Sequence, residues 1–344
     1  MKKSGLSIFE RLIYIINILF AILLICAYVL PFIPPKFSST LSILNLGLPL
    51  LIIINLIFIV FWLVKLKKHM ILSIIAILCG FLYFDSIYKF GSNTLMDEEG
   101  SLDIMSYNVR LFDKYNWTGE KEITSKIKKF IELKNPDIVT YQDYYISDTT
   151  KLEGYEYNYI VPSKKKGKHG LAIFSKKEII NRKNLRFENT SNNGIYVDIL
   201  YDKDTIRLFG IHLESLKIDP DVRELQSEDQ KKLISRIGKS FVKQQSQAEI
   251  IADEIANSPH PVIISADLNN SPVSYVSKSI MSDKLQDNFS KAGNGFGRTF
   301  VFDFIPIRID VIFSDLQFKV IDFHTYDVKY SDHYPIQSKI KLKD

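Results

Sequence analysis

Two packed β-sheets with helices outside them, preceded by an apolar helical region, form the architecture this sequence predicts. Three observations predict it: roughly a dozen short strand-like runs after residue 101, few long helical stripes among them, and a concentration of uncharged apolar residues before residue 90. Each sheet must bury one face, so many short strands settle as layers that helices cover from outside.

The apolar excess comes first. Of 344 residues, 46% are hydrophobic, and most of the surplus lies before residue 90. Leu12 to Pro35 and Phe37 to Val64 carry no charge, with Lys36 alone between them, and each is long enough to cross a hydrocarbon layer roughly 30 Å thick as a helix. Met70 to Phe84 is uncharged but short, and it crosses only with its flanks or in a thin or deformed bilayer. We read it as a third span. Lys2, Lys3 and Arg11 resemble the basic leader of a signal peptide, but no small-x-small cleavage site follows and further apolar runs do. Lys and Arg bias sets orientation: the cluster before the first run and Lys65, Lys67 and Lys68 after the second both belong in the cytoplasm. Three spans then make a multi-pass cell-membrane protein whose residues 90–344 are extracytoplasmic. Cys26 and Cys79 lie inside the expected spans, so no disulfide contributes to the remainder. A formal charge of +5 is far from the concentrated basicity of a dedicated nucleic-acid binder.

Gly91 to Ser101 is polar and glycine-containing, which reads as a linker. The expected division is a membrane region over 1–89, a linker over 90–100 and a catalytic unit over 101–344. Within that unit Leu102 to Val109 reads as a strand, Ile123 to Leu133 as a helix with lysines between its apolar positions, and Asp137 to Tyr141 as a strand after Pro136. Strands follow at Tyr155 to Val161, Leu171 to Phe174, Ile195 to Leu200 and Thr205 to Ile211. The segment Glu228 to Ala256 places Leu233, Ile237, Phe241, Ala248, Ile251 and Ile255 on one helical stripe that ends before Pro259. Val262 to Ala266, Ile309 to Phe313, Phe318 to Phe323 and Pro335 to Ile340 complete the strands.

Chemistry-bearing residues end or follow these runs. Asn108 and Arg110 follow Ile104 to Tyr107; Asp143 closes Pro136 to Gln142; His212, Glu214 and Ser215 follow Gly210 and Ile211. Asp267 and Asn269 close Ile264 to Ala266, Asp310 follows Arg308 and Ile309, and Ser331, Asp332 and His333 precede the last strand. Strand ends hold carboxylates and imidazoles rigidly enough to bind a divalent cation and orient a water. In order and spacing these segments resemble the successive motifs of the endonuclease/exonuclease/phosphatase superfamily, across residues 102–340.

That resemblance implies a four-layered α/β sandwich, two central and mostly antiparallel sheets flanked by helices. It implies a site in which Asn108, Asp143 and Asp332 serve a divalent cation, magnesium or manganese, for which oxygen ligands are suited. The superfamily usually has Glu where this chain has Asp143, and the carboxylate is drawn inward by about one methylene, roughly 1.5 Å. Asp267 and Asn269 resemble the pair that handles the attacking water or leaving oxygen; two apart on an extended segment, they are expected on one face. Read without the resemblance, they make an Asx turn after a strand. His333 resembles the general base or transition-state stabiliser oriented by Asp310, and His212 the histidine that donates to a nonbridging phosphate oxygen. Ser163 to His169 is a basic loop suited to substrate phosphates, acidic lipid or plain solvation, and Gly293 to Thr299 is a glycine-rich segment without phosphate-loop spacing.

The function this implies is a membrane-tethered, divalent-metal-dependent phosphoesterase acting on a phosphodiester or phosphomonoester, with a lipid head group or an extracytoplasmic phosphodiester favoured. An endonuclease or exonuclease acting on DNA or RNA is the first alternative; a noncatalytic membrane-anchored binding protein retaining the fold is the second. The partners expected are a phosphate-ester substrate and the lipid bilayer, with nucleic acid under the first alternative; no protein partner is inferred.

Overall fold

The computed structural model describes residues 6–91, 98–218, 228–302 and 306–343. Among the described residues five α-helices precede the strands: α1 (Ile8–Val29), α2 (Pro35–Ser38), α3 (Leu48–Val64), α4 (Met70–Leu78) and α5 (Phe84–Ile87). Ser7 starts α1 through a capping box, its hydroxyl accepting the Glu10 amide while Glu10 accepts the Ser7 amide.

These helices are packed inside out for water. Leu12, Ile15, Leu19, Leu56, Ile57, Val60, Ile71 and Ile75 are exposed, whereas Asn17, Asn55 and Ser73 are buried. The buried polar groups satisfy one another: Asn17 Nδ2 donates to Ser73 Oγ at 2.6 Å, Ser73 Oγ donates to Asn55 Oδ1 at 2.9 Å, and Trp62 Nε1 donates to Asn17 Oδ1 at 3.0 Å. Those bonds tie α1, α3 and α4 together, since a buried polar group without a partner costs free energy.

Among the described residues one helix, Ile8–Phe32 with its 3-10 extension, is long and apolar enough to cross a membrane, or two if the bent pair Met70–Leu78 and Phe81–Ile87 counts as one span. The run Phe37 to Val64 is not one helix as expected. It holds the end of α2, a 3-10 turn over Leu41–Asn45 and then α3, which Gly47 and Pro49 start afresh. The helical part is 17 residues, roughly 25 Å at 1.5 Å per residue. Met70 to Phe84 is not a straight span either. Helix α4 stops at Leu78, and the segment over Phe81–Ile87 is bent from it by 54°.

The remaining helices are α6 (Ile123–Lys134), α7 (Gln230–Ala256), α8 (Tyr275–Met281) and α9 (Asn288–Ala292). The strands are β1 (Leu102–Asn108), β2 (Ile138–Tyr145), β3 (Tyr157–Pro162), β4 (His169–Ser175), β5 (Ile179–Asn184), β6 (Asn193–Tyr201), β7 (Asp204–His212), β8 (Val262–Asp267), β9 (Leu285–Asp287), β10 (Asp310–Asp315), β11 (Phe318–Thr325) and β12 (Ile336–Leu342). They form two six-stranded sheets, in the orders β11-β12-β1-β2-β4-β3 and β5-β6-β7-β8-β10-β9. Only β1 with β2 and β7 with β8 pair in parallel; every other pairing among the described strands is antiparallel.

Between the sheets, Ile104, Ile138 and Ile173 of one meet Val197, Leu208, Ile263 and Ile312 of the other. The outer face of the second sheet packs Phe209, Ile264 and Val311 against Ala248 and Ile251 of α7 and Val276 and Ile280 of α8. The outer face of the first packs Met105, Val139 and Phe174 against Ile127, Phe130 and Ile131 of α6. Alternation along strands that are buried on both faces produces these three apolar layers, and the four-layered sandwich is the result.

The helical segment is docked on the sandwich by one end. Lys36 N–H donates to Gln245 Oε1 at 3.0 Å, and Asn45 Nδ2 donates to the Val273 carbonyl at 2.6 Å. Lys89 and Gly295 exchange backbone hydrogen bonds of 2.8 Å. Residues 92–97 of the expected linker lie outside the described residues. Arg308 anchors this junction: its guanidinium binds both Asp287 oxygens, at 2.6 and 3.1 Å, and donates to the Ser86 carbonyl at 2.8 Å. Both members of the ion pair are buried. Arg308→Ala leaves Asp287 charged and unpaired, a loss of about 3–5 kcal/mol. Thermal unfolding of the full chain in detergent should show Tm lower by about 6 °C or more; an unchanged Tm would remove Arg308 from the junction.

Candidate functional site

The parallel pairs deliver the site. Strand β1 ends at Asn108, β7 at His212 and β8 at Asp267, and pairing sets His212 beside Asp267 and Asp267 opposite Asp310 of β10. Asn108 belongs to one sheet and Asp267 to the other, yet Asn108 Nδ2 donates to Asp267 Oδ2 at 2.8 Å. His212 stands between two carboxylates, with Nδ1 3.6 Å from Asp143 Oδ1 and Nε2 3.4 Å from Asp267 Oδ2. His333, in the segment before β12, sets Nδ1 2.9 Å from Asp310 Oδ2 and Nε2 3.8 Å from Asp267 Oδ2.

Asn108, Asp143, His212, Asp267, Asn269, Asp332 and His333 all border one cavity of about 670 Å³. Asp310 lies behind His333 and reaches the cavity through that imidazole.

Two of these residues arrive by local geometry that strand periodicity does not describe. The β2–β4 register shifts between Tyr141 and Tyr144, and Asp143 within that bulge has a left-handed φ of 47°. A bulge re-aims a side chain, here towards His212. Asn269 is not on an extended segment: β8 stops at Asp267, and Asn269 has φ 47° with its amide donating to Asp267 Oδ1 at 2.9 Å. Asp267 and Asn269 therefore do not share a strand face as expected, and an Asx turn brings the two together instead. Asn269 Nδ2 donates to the Leu213 carbonyl at 3.1 Å, which fixes the side chain over the end of β7.

Asp310 and His333 form a buried, coupled pair. Burial penalises the Asp310 carboxylate and pushes it upward, the His333 charge pulls it down, and Asp267 raises it again. For His333 burial works against the charged ring, but the carboxylates of Asp310 and Asp267 outweigh that and raise it. The pair therefore holds a proton between them tightly. Asp267, Asp310 and His333 offer ligand atoms within 4.8 Å of one another.

Oxygen donors of Asn108, Asp143, Asp267 and Asp332 around one cavity suit a hard divalent cation that keeps several waters. The three residues expected to serve a cation are not equally placed. All three border the cavity, but Asn108 Oδ1 accepts the Arg110 amide at 3.1 Å, and Asp332 Oδ2 is 3.1 Å from Arg110 Nη1 while its Oδ1 accepts from the Ser331 hydroxyl.

Arg110 had no assigned role in the sequence. The backbone from Arg110 to Asp113 runs left-handed, with φ from 41° to 59°, and the guanidinium stacks 4.4 Å from the Trp117 ring centroid. Both side chains border the cavity, as do His169, Asn192 and Phe300. Thr299 was also missed. Its buried hydroxyl accepts the Ile309 and Asp310 amides at 3.0 Å each and so fixes the start of β10. A buried threonine in an irregular loop leaves no periodic signal. The glycine-rich segment around it is scaffold: Arg298 donates to the Phe300 and Phe302 carbonyls at 3.2 Å, and Phe296 meets Tyr88 edge-on at 4.8 Å. Of the basic loop, His169 alone borders the cavity.

Residues 10–87 match a family described as Domain of unknown function (DUF8431), and residues 105–333 match the Endonuclease/Exonuclease/phosphatase family. No curated protein matches the chain. Among solved structures, humanized D. rerio TDP2 carrying 14 mutations is 16% identical, with 71% of this chain and 100% of that chain covered and a TM-score of 0.54. The endonuclease/exonuclease/phosphatase from Bacteroides vulgatus is 17% identical over 71% of this chain and 99% of that chain, with a TM-score of 0.55. D. rerio TDP2 complexed with a single-strand DNA product is 15% identical over 70% and 99%, with a TM-score of 0.53. At these identities the likeness is one of fold. The family match spans two thirds of the chain and every strand end described above, and the chain belongs to the Endonuclease/Exonuclease/phosphatase family.

Proposed function

We propose that this chain is a membrane-tethered, divalent-metal-dependent phosphoesterase, with residues 1–89 as membrane anchor, 90–100 as linker and 101–344 as catalytic unit. Members of the family are metal-dependent hydrolases of phosphoester bonds. The observation that carries the reading is the convergence of Asp267, His212 and the His333–Asp310 pair on the cavity that Asn108 and Asp143 also face.

In this reading Asn108 and Asp143 hold the cation, and Asp332 reaches it only by giving up part of its pairing with Arg110. When bound, magnesium or manganese polarises a phosphoryl oxygen and offsets the charge that grows there. Asp267 and Asn269 orient the attacking water, and Asp310 fixes the ring of His333, whose Nε2 faces Asp267. His212 donates to a nonbridging oxygen in the transition state. The water oxygen bonds to phosphorus in line with the leaving oxygen, the bond from phosphorus to that oxygen breaks, and a proton from the water ends on it.

The inside-out helices support the anchor. The exposed apolar surfaces of α1, α3 and α4 suit lipid, and their buried Asn and Ser groups suit the interior of a membrane bundle. Orientation is supported by the same geometry. Tyr14 packs 4.5 Å from His69, so Arg11, Lys65, Lys67 and Lys68 cluster near one end of the bundle. Lys36, Asn45 and Ser86 bind the sandwich at the other end. With basic residues facing the cytoplasm, the catalytic unit is extracytoplasmic.

The full chain in detergent should hydrolyse bis(4-nitrophenyl) phosphate with added magnesium or manganese and stop with chelator. Undiminished turnover after thorough metal removal would contradict the mechanism. His333→Ala and Asp267→Ala should each lower turnover by at least about a hundredfold with the fold intact, and Asp143→Glu should keep activity or tighten metal binding measured by calorimetry. Unchanged turnover in both alanine variants would sink the assignment. Reporter fusions after Lys68 and after Gly100 should report cytoplasm and exterior respectively; two cytoplasmic signals would reverse the orientation.

A further inference from the structure

The cavity that holds the proposed catalytic groups does not end on the sandwich. Phe20 of α1 and Leu50, Leu51 and Ile54 of α3 wall the same 670 Å³ space that Asp267 and His333 border. Between them lie Ile43 and Leu46, which pack against Leu216, Ile237 and Phe241 of the sandwich. A polar reaction centre is thus continuous with an apolar groove that starts on helices whose outward surface is itself apolar.

We infer that the substrate is a lipid phosphoester, its phosphate at the Asp267 and His333 end and its alkyl chain along Leu50, Ile54 and Phe20. This rests on the phosphoesterase reading and names the substrate class for that site. A soluble nucleotide or nucleic acid offers nothing to an aliphatic wall, and apolar surface facing a polar site without a partner is unfavourable in water. Leu50 is exposed at 41% although it borders the cavity, so the groove is open at the side where lipid would lie. The bonds at Lys36 and Asn45 hold the sandwich directly on the end of the bundle, so the groove runs from the apolar helices to His333 without a spacer. The face of α7 beside that end presents Lys231 and Lys239 next to Ser39 and Thr40, with Lys243 paired 3.2 Å from Glu214, and the first two attract an anionic lipid surface. Hydrolysis adds the hydroxyl of water to phosphorus and a proton to the leaving oxygen, so the alkyl chain departs on whichever fragment carries it.

The test compares 4-nitrophenyl ethyl phosphate with 4-nitrophenyl hexadecyl phosphate, presented to the full chain in the same detergent micelles. The hexadecyl ester should show kcat/KM at least about tenfold higher. Leu50→Trp and Ile54→Trp, which fill the groove with apolar bulk, should each bring the ratio of the two esters to within about threefold of unity. Equal kcat/KM for the two esters in the unmodified chain, or a preference that survives both tryptophan variants, overturns the inference and leaves the phosphoesterase reading standing. Release from neither ester sinks that reading itself. If the variants lose turnover of both esters, the unmodified chain decides through competition: hexadecyl phosphate should block hydrolysis of the ethyl ester at concentrations at least about tenfold below those of ethyl phosphate, and equal potency overturns the inference.

Discussion

The hydrogen bond from Asn108 to Asp267 is the contact on which the rest of the site depends, because it joins the two sheets at the place where their strand ends meet. The residues are 159 positions apart, each at the end of a strand in a parallel pair. Just below it, the hydroxyls of buried Thr140 and Ser265 bond across the same gap. Apolar packing between the sheets is non-directional and sets their separation, but it does not choose their register. These polar contacts do, since a displacement of either sheet would leave buried donors and acceptors unmet. His212, paired with Asp267 within one sheet, is then held near Asp143 of the other.

Much of the sandwich was legible because its strands are short, apolar and separated by turn residues, and because α6 and α7 repeat their apolar positions at helical spacing. The elements that escaped notice are those that lack a pattern. Strand β5 reads Ile-Ile-Asn-Arg-Lys-Asn and is mostly exposed, an edge strand with little to bury. Helix α8 is seven residues long and α9 five, too short for a periodic stripe; each is started by a side-chain cap, Ser274 and Asp287 respectively. Every expected site residue except Asp310 borders the cavity, and Asp310 touches it through His333. What periodicity did not supply was how Asp143 and Asn269 arrive. Both depend on a left-handed residue, one in a bulge and one in an Asx turn, and neither is visible in a hydrophobic pattern.

The apolar N-terminal runs show the opposite limit. Their composition identified the segments, but hydropathy does not register where a helix stops. Pro34 and Pro35 close the first run with the start of a short helix, Gly47 and Pro49 divide the second into short turns and one helix, and the break after Leu78 bends the third. Those interruptions are where the helical segment meets the sandwich, at Lys36, Asn45 and Ser86. A continuous second helix would have carried Asn45 away from the Val273 carbonyl. The irregular backbone is therefore the docking element, and the regular helices are held together separately by Asn17, Asn55, Trp62 and Ser73.

That separation has a consequence for how the cavity is built. Its polar wall is made by strand ends and short turns, which hold ionisable groups within a few ångströms of one another. Its apolar wall is made by α1, α3 and the 3-10 turn between them, which contribute no titratable group to it, together with Leu216, Ile218, Leu233 and Ile237 of the sandwich. The helical segment and the sandwich meet inside the cavity, where Ile43 and Leu46 pack against Leu216 and Ile237. The bonds from Lys36 to Gln245, Asn45 to Val273 and Arg308 to Ser86, with those between Lys89 and Gly295, hold the apolar wall against the polar one. Reach from the polar end to the apolar end is thus a property of the junction as a whole, set by bonds outside the cavity together with the packing of Ile43 and Leu46 within it.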